Sequence, residues 1–163
     1  MKEIILRKSG KPLSIIEIEN LLEVLKVKLP EKYSRFISDH NGGYPSLSAY
    51  GNPYEDGVAI EVFCCLDPDY DRKKYIPGKL ISVNDIIDSH QVLEKNLPSY
   101  LFPFGLDAGG GYFCISTKKD EFGEIYMFYM DGTCDEPVYL CESFEEFINN
   151  LENLQVYSEE EDY

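Results

Sequence analysis

The chain has 163 residues, 44% of them hydrophobic, and a formal charge of −15. A chain of that size is expected to form one domain that buries roughly 70% of its unfolded surface without staples. No window approaches the ~20 consecutive apolar residues of a membrane span, and the apolar core of the N-terminus, Ile4, Ile5 and Leu6, is too short for a signal peptide, so a cytoplasmic protein is expected.

Residues 2–6 read as a short edge strand. Ser14-Ile15-Ile16-Glu17 has the form of a reciprocal capping box and opens a helix, with Ile18, Leu21, Leu22 and Leu25 as its apolar stripe. Leu29-Pro30 ends that helix and begins a second, Pro30 serving as its first residue. The second helix presents Tyr33, Phe36, Ile37 and His40 on one face and stops at Asn41-Gly42-Gly43, residues able to take the left-handed conformation. His40 is read as a packed or capping histidine. Residues 44–56 are rich in Pro, Gly, Ser, Asn and Tyr and read as an exposed loop; Tyr44, Tyr50 and Tyr54 within it serve either as contact residues or as loop packing.

Residues 58–66 form the clearest strand, with only Glu61 charged, as in a central strand covered on both faces. Asp67-Pro68-Asp69-Tyr70-Asp71 begins like a calcium loop. Arg72 stands where that loop needs glycine and Gly78 where it needs a bidentate glutamate, so a solvated turn is expected. Ser82 caps a third helix over residues 82–96, with Ile86, Ile87, His90 and Leu93 or Glu94 along one side. Residues 102–131 then give three apolar, aromatic-rich runs, 102–104, 112–115 and 125–130, cut by Gly109-Gly110-Gly111 and by a polar turn ending in Gly123. That pattern predicts an antiparallel meander at the centre of the sheet. Asp131-Gly132 makes a tight turn, residues 138–141 a last strand, and Ser143-Phe144-Glu145-Glu146 a second capping box. The helix it opens is expected to run to residue 154, burying Phe144, Phe147, Ile148, Leu151 and Leu154. An acidic tail follows. The fold class is α+β: a single domain with helices packed around an antiparallel sheet.

Catalytic chemistry has no signature here. Only His40 and His90 offer an imidazole base, and neither lies in a nucleophile or metal motif. The glycines of residues 109–111 lack the lysine and hydroxyl residue of a phosphate loop and sit between strands. The five cysteines (Cys64, Cys65, Cys114, Cys134, Cys141) show no CxxC spacing, and four of them lie in apolar strand-like runs. The expectation is a protein that is not an enzyme and needs no metal or cofactor.

Charge is the informative property. Residues 1–119 hold all 15 Lys and Arg and 16 Asp and Glu, whereas residues 120–163 hold 14 acids and no basic residue. Nucleic-acid binding requires the opposite sign. Two readings fit an acidic third: a solubilising surface, or a face that attracts a cationic partner.

Two stretches together resemble a known family. LPEKYSRFISDHNGGYP is similar to its Leu-Pro, aromatic, Phe-Ile/Leu, Asn-Gly-Gly helix and turn. PFGLDAGGGYFCIS followed by GEIYMFYMDG is similar to its Pro-Phe-Gly, Gly-rich turn, strand, Gly-x-Ile/Val-Tyr and acidic turn. The family is the SUKH superfamily, named for a yeast cell-wall-synthesis regulator of the Smi/Knr type, whose bacterial members are largely immunity proteins against secreted or contact-delivered toxins. The resemblance implies a SUKH-like domain over residues 1–157 and an acidic tail over 158–163. Family members often carry Gly-Asp where this chain has three glycines, and Asp107 is the nearest acid.

The function so implied is an immunity protein that binds and neutralises a basic toxin domain, with a regulatory or scaffolding protein as the alternative. Neither reading involves direct contact with nucleic acid or membrane. Candidate contacts are Tyr44, Tyr50, Tyr54, Asp107, Asp120, Glu121, Glu142, Glu145 and Glu146, with residues 159–162 of the tail.

Overall fold

Three serines set where three of the helices begin. Ser14 Oγ accepts the Glu17 amide at 3.2 Å while the Glu17 carboxylate accepts the Ser14 amide at 3.3 Å, starting α1 (Ile15–Val24). Ser82 and Asp85 make the same exchange with the shorter acid, both backbone contacts at 3.0 Å, and start α3 (Val83–Val92). Ser143 Oγ accepts the Glu146 amide at 3.0 Å and starts α4 (Phe144–Asn149), but the Glu146 carboxylate reaches the Glu142 amide instead of returning to Ser143. Only half of that expected box forms. A serine-oxygen cap of this kind is worth about 1 kcal/mol. The second helix, α2 (Glu31–Asp39), follows Pro30, which stands at the cap and not inside the first turn.

The computed structural model describes residues 1–71, 73, 74, 76–92, 97–130 and 136–158. Its centre is a five-stranded antiparallel sheet in the order β5 (Val62–Phe63), β6 (Leu101–Leu106), β7 (Tyr112–Ser116), β8 (Ile125–Phe128) and β9 (Val138–Cys141). The meander forms as its glycine and polar breaks dictate, with Cys114 opposite Tyr126 and Phe113 opposite Met127. Two small ribbons flank it: β1 (Leu6–Arg7) with β2 (Tyr44–Pro45), and β3 (Ala49–Tyr50) with β4 (Val58–Ala59). A last turn of helix, α5, spans Gln155–Ser158. The fold is α+β, with helices on an antiparallel sheet.

Several expectations need correction. Residues 58–66 are not one strand, because the chain changes sheets at Ile60–Glu61. The Ile60 amide still bonds Ser48 in the ribbon side of the turn at 2.8 Å, and the Glu61 amide bonds Leu106 of the main sheet at 2.8 Å. Ile60 fills the space that a side chain on Gly105 would need, its Cδ1 lying 2.4 Å from where that Cβ would stand. Residues 44–56 are not wholly exposed loop, since β2 and β3 fall within them. The first strand is displaced from residues 2–6 to Leu6–Arg7, where it can pair with β2. His40 is exposed at the end of α2 in extended conformation, and so does not share the buried face of Tyr33, Phe36 and Ile37. Helix α4 stops at Asn149, short of the expected residue 154, because Glu152 leaves it to exchange backbone hydrogen bonds with Ala49, at 3.0 and 2.8 Å. Leu151 is nevertheless fully buried. The expected turn at Asp131-Gly132, Cys134, Leu93, Glu94 and residues 159–162 lie outside the described residues.

The core lies between one face of the sheet and the helices α1, α2 and α4, with Val83 and Ile86 of α3 joining it. A register shift between Pro103 and Gly105 leaves Phe104 as the extra residue of a β-bulge. Its buried ring meets Phe144 at 5.4 Å and Phe147 at 5.5 Å, both edge-on. Phe36 extends the stack from Phe63 to Phe144, both at 5.1 Å. Each such aromatic pair adds about 0.5–1.5 kcal/mol beyond its area burial. The sheet's other face carries a smaller cluster of Leu101, Cys114 and Phe128, with Tyr112 and Tyr126 packed against it.

Candidate functional site

The two-residue period of a strand decides which side chains meet at the β8–β9 end of the sheet. Ile125 and Met127 turn inward and are fully buried, so Glu124 and Tyr126 share the opposite face. Tyr126 stands across from Tyr139 of β9, and their rings meet edge-on at 5.7 Å. The Tyr126 hydroxyl is shared between two carboxylates, touching Glu121 and lying 2.7 Å from Glu124. A hydrogen bond from a neutral phenol does not cancel a carboxylate's charge, so negative charge stays beside the ring. Burial first, and then these two hydrogen bonds, push the Tyr126 phenol well above its ordinary range, so it remains a neutral donor.

Around this pair the acids continue. Burial raises the Tyr139 phenol too, followed by the fields of Glu142 and Glu124 and, more weakly, Glu146. Tyr50 approaches from the inner side, stacked on Phe147 at 5.4 Å with its hydroxyl at the Cys141 sulfur. Burial and then Cys141 raise its phenol, with Glu146 and Tyr139 contributing less. Among the described residues, Lys118 is the one cation that an ion pair brings here, its ammonium 3.4 Å from Glu121 and 4.0 Å from the centre of the Tyr100 ring. Among the described residues no salt bridge involves Glu124, Glu142 or Glu146.

The candidate contacts therefore divide. Glu121, Glu142, Glu146 and Tyr50 lie in this neighbourhood. Asp120 is exposed beside Glu121 in a short 3-10 turn, Lys119–Glu121. Glu145 pairs with Lys32 of α2 at 3.7 Å and ties α4 to its neighbour helix. Asp107 is a turn residue: its carboxylate accepts the Gly111 amide at 2.6 Å and closes the β6–β7 hairpin. Tyr44 pairs with Arg7 in the first ribbon, and Tyr54 stands exposed in the turn that follows Asn52. Three members escaped sequence reasoning: Glu124, Tyr126 and Tyr139. The signal for Glu124 and Tyr126 was the alternation of apolar and polar residues along 124–127; Tyr139 is placed by its register opposite Tyr126.

Elsewhere the polar groups are committed to structure. Asp67 pairs with Lys79 and accepts the Asp69 amide at 3.0 Å, while Asp71 accepts the Lys73 amide at 2.9 Å, so these acids shape their own turns. No group of three or more potential metal ligands occurs among the described residues. A groove of about 850 Å³ between α1 and α2 has an apolar floor at Leu22, Val27 and Leu29, with both signs of charge on its rim. Glu31 there is already bonded to Arg35 at 2.6 Å. Nothing in the groove converges on a reacting centre.

Among the described residues, no helix is long and apolar enough to cross a membrane. A model of the SMI1/KNR4 family (SUKH-1) matches residues 12–150. The search of curated proteins gives no significant match.

Proposed function

Because the chain belongs to the SMI1/KNR4 family (SUKH-1), whose members are generally immunity or regulatory proteins, we propose that it is an immunity protein that binds and neutralises a toxin domain with a basic surface. The observation that carries this reading is the acid-and-tyrosine patch at the β8–β9 end of the sheet, where Glu121 and Glu124 flank Tyr126 and Glu142 and Glu146 act on Tyr139. Toxins that cleave nucleic acid hold phosphate with cationic surfaces, so a nuclease domain is the partner that such a patch would meet. Tyrosines supply large contact area at small entropic cost, and carboxylates between them steer a cationic partner into place.

The test is co-expression with the toxin domain encoded beside the gene, followed by co-purification. Association is then measured for Glu124→Lys/Glu142→Lys over a salt series. Wild-type association is expected to exceed the ~10⁵–10⁶ M⁻¹s⁻¹ of neutral pairs and to slow with salt, and the double variant to lose both properties. Rates that ignore salt and charge reversal would refute the acidic-face mechanism. A toxin that never co-purifies would transfer the protein to the family's regulatory members.

A further inference from the structure

The backbone of the patch offers a second means of recognition. β9 ends the sheet order, and among the described residues no strand pairs with its outer side. Its Val138 and Tyr139 are exposed to 39% and 50%. An edge of this kind presents a row of unpaired amides and carbonyls, which proteins ordinarily blunt with lysine, proline or burial. Here Pro137 closes one end and a bulge falls at Leu140, between the pairs Ile125–Cys141 and Tyr126–Tyr139. The strand itself carries no lysine. Its guards are carboxylates: Glu136 before it, Glu142 after it and Glu124 beside it.

Carboxylate guards discriminate by charge. A second copy of this chain laid along β9 would bring like charges together at both ends of the strand, which opposes pairing. A partner strand bearing lysine or arginine would meet the opposite sign at each of the same positions. Resting on the immunity reading above, we propose that β9 is a strand-addition site: a cationic extended segment of the partner pairs with its free edge. Main-chain hydrogen bonds then hold the segment, and its alternate basic side chains reach Glu124, Glu142 and the Tyr126–Tyr139 pair. The acids select the partner and the edge orients it.

The probe is a synthetic strand of about ten residues alternating lysine and valine, long enough to span β9. It is compared with a glutamate–valine version and with two half-methylated versions, one carrying N-methyl groups on its lysine amides, the other on its valine amides. Successive amides of an antiparallel strand point to opposite sides, so only one methylated set can face β9. The lysine–valine strand is expected to bind, to slow amide exchange within residues 138–141, and to lose about tenfold or more in affinity on one pattern of methylation only. The glutamate–valine strand is expected not to bind. Equal affinity of the two methylated strands, absent protection of β9, or no binding of the lysine–valine strand would overturn strand addition. So would dimerisation of the protein through β9, measured by sedimentation. None of these outcomes touches the acidic-face reading, which fails separately if charge reversal leaves toxin association unchanged.

Discussion

The two edges of one sheet are finished in opposite ways. At β5 the edge is closed: Phe63 exchanges two backbone hydrogen bonds with Gly43, both 2.9 Å, and Cys65 bridges to Ser82. Gly43 can lie there because its φ of 125° and its missing side chain allow it, a Cβ standing only 2.5 Å from the Arg7 carbonyl. Asn41 completes the closure from a fully enclosed position, donating to Lys11 O at 2.7 Å and Leu66 O at 2.9 Å and accepting from Leu66 N at 2.8 Å. At β9 no strand among the described residues covers the edge, and carboxylates and tyrosines stand beside it. A closed edge contributes stability and nothing for a partner to grasp. The open edge contributes less stability and leaves its polar groups available.

The largest effect is expected in the aromatic stack that both edges share. Phe104→Ala and Phe147→Ala should each cost ~3–5 kcal/mol in urea unfolding, as large-to-small changes at enclosed aromatic sites do. A loss below about 1 kcal/mol at both positions would mean that the edges are held by something other than this core. Next comes the closed edge. Asn41→Ala strands one buried amide and leaves two carbonyls unserved, and should cost about 3 kcal/mol. A cost as small as that of a surface substitution would erase the contrast between the two edges.

Each edge also carries a buried thiol raised to a comparable degree, Cys65 near β5, next to the more deeply buried Cys64, and Cys141 in β9. Burial is the first cause at both, and each is pushed up to about 11 from 9.0. Asp67 adds to the rise at Cys65, while the Tyr50 hydroxyl opposes it at Cys141. Because the folded state holds these thiols neutral where the unfolded state would ionise them, their contribution is complete below pH 9.0 and is lost as pH rises toward about 11. Unfolding free energy should therefore fall across that window. Replacing either cysteine by alanine should reduce the fall by about 2 kcal/mol. A profile that stays flat to the top of the window would show that water reaches both thiols.

Much of the fold was legible because it rests on local rules. Ser14 with Glu17, Ser82 with Asp85, and the glycines between β6 and β7 act within a few residues of themselves. Distant pairing was hidden. Residues 58–66 read as one strand because their apolar pattern is continuous, and only the space above Gly105 and the two hydrogen-bond partners of Ile60 and Glu61 divide it. The site was legible as a charge: the acids after residue 120 could be counted, but not sorted. Glu145 turns to Lys32 and Asp107 to Gly111, whereas Glu124 faces Tyr126. Those assignments depend on helix packing, hairpin closure and strand register, which no local pattern encodes. The Leu-Pro and Asn-Gly-Gly elements of the family resemblance fall at the α1–α2 junction and the closed edge, and so mark scaffold positions.

The smallest expected effect on stability is at the open edge. Glu124 and Glu142 make no ion pair among the described residues, and Glu142 is exposed. Glu124 accepts one hydrogen bond from Tyr126, whose hydroxyl also reaches Glu121 and so keeps a partner when Glu124 is changed. Glu124→Lys and Glu142→Lys should therefore each shift unfolding free energy by no more than about 0.5 kcal/mol. Relief of like-charge repulsion among the remaining acids should make the shift stabilising, most clearly at low salt. Glu146→Lys should behave differently, because its carboxylate accepts the Glu142 amide at the start of α4 and favours the positive end of that helix. It should cost about 1 kcal/mol, a value typical of a lost cap. Thermal melts of the three variants at low and high salt decide the matter. Equal costs at all three positions would mean that the acids of the open edge are structural, and that its contrast with the β5 edge is one of composition alone.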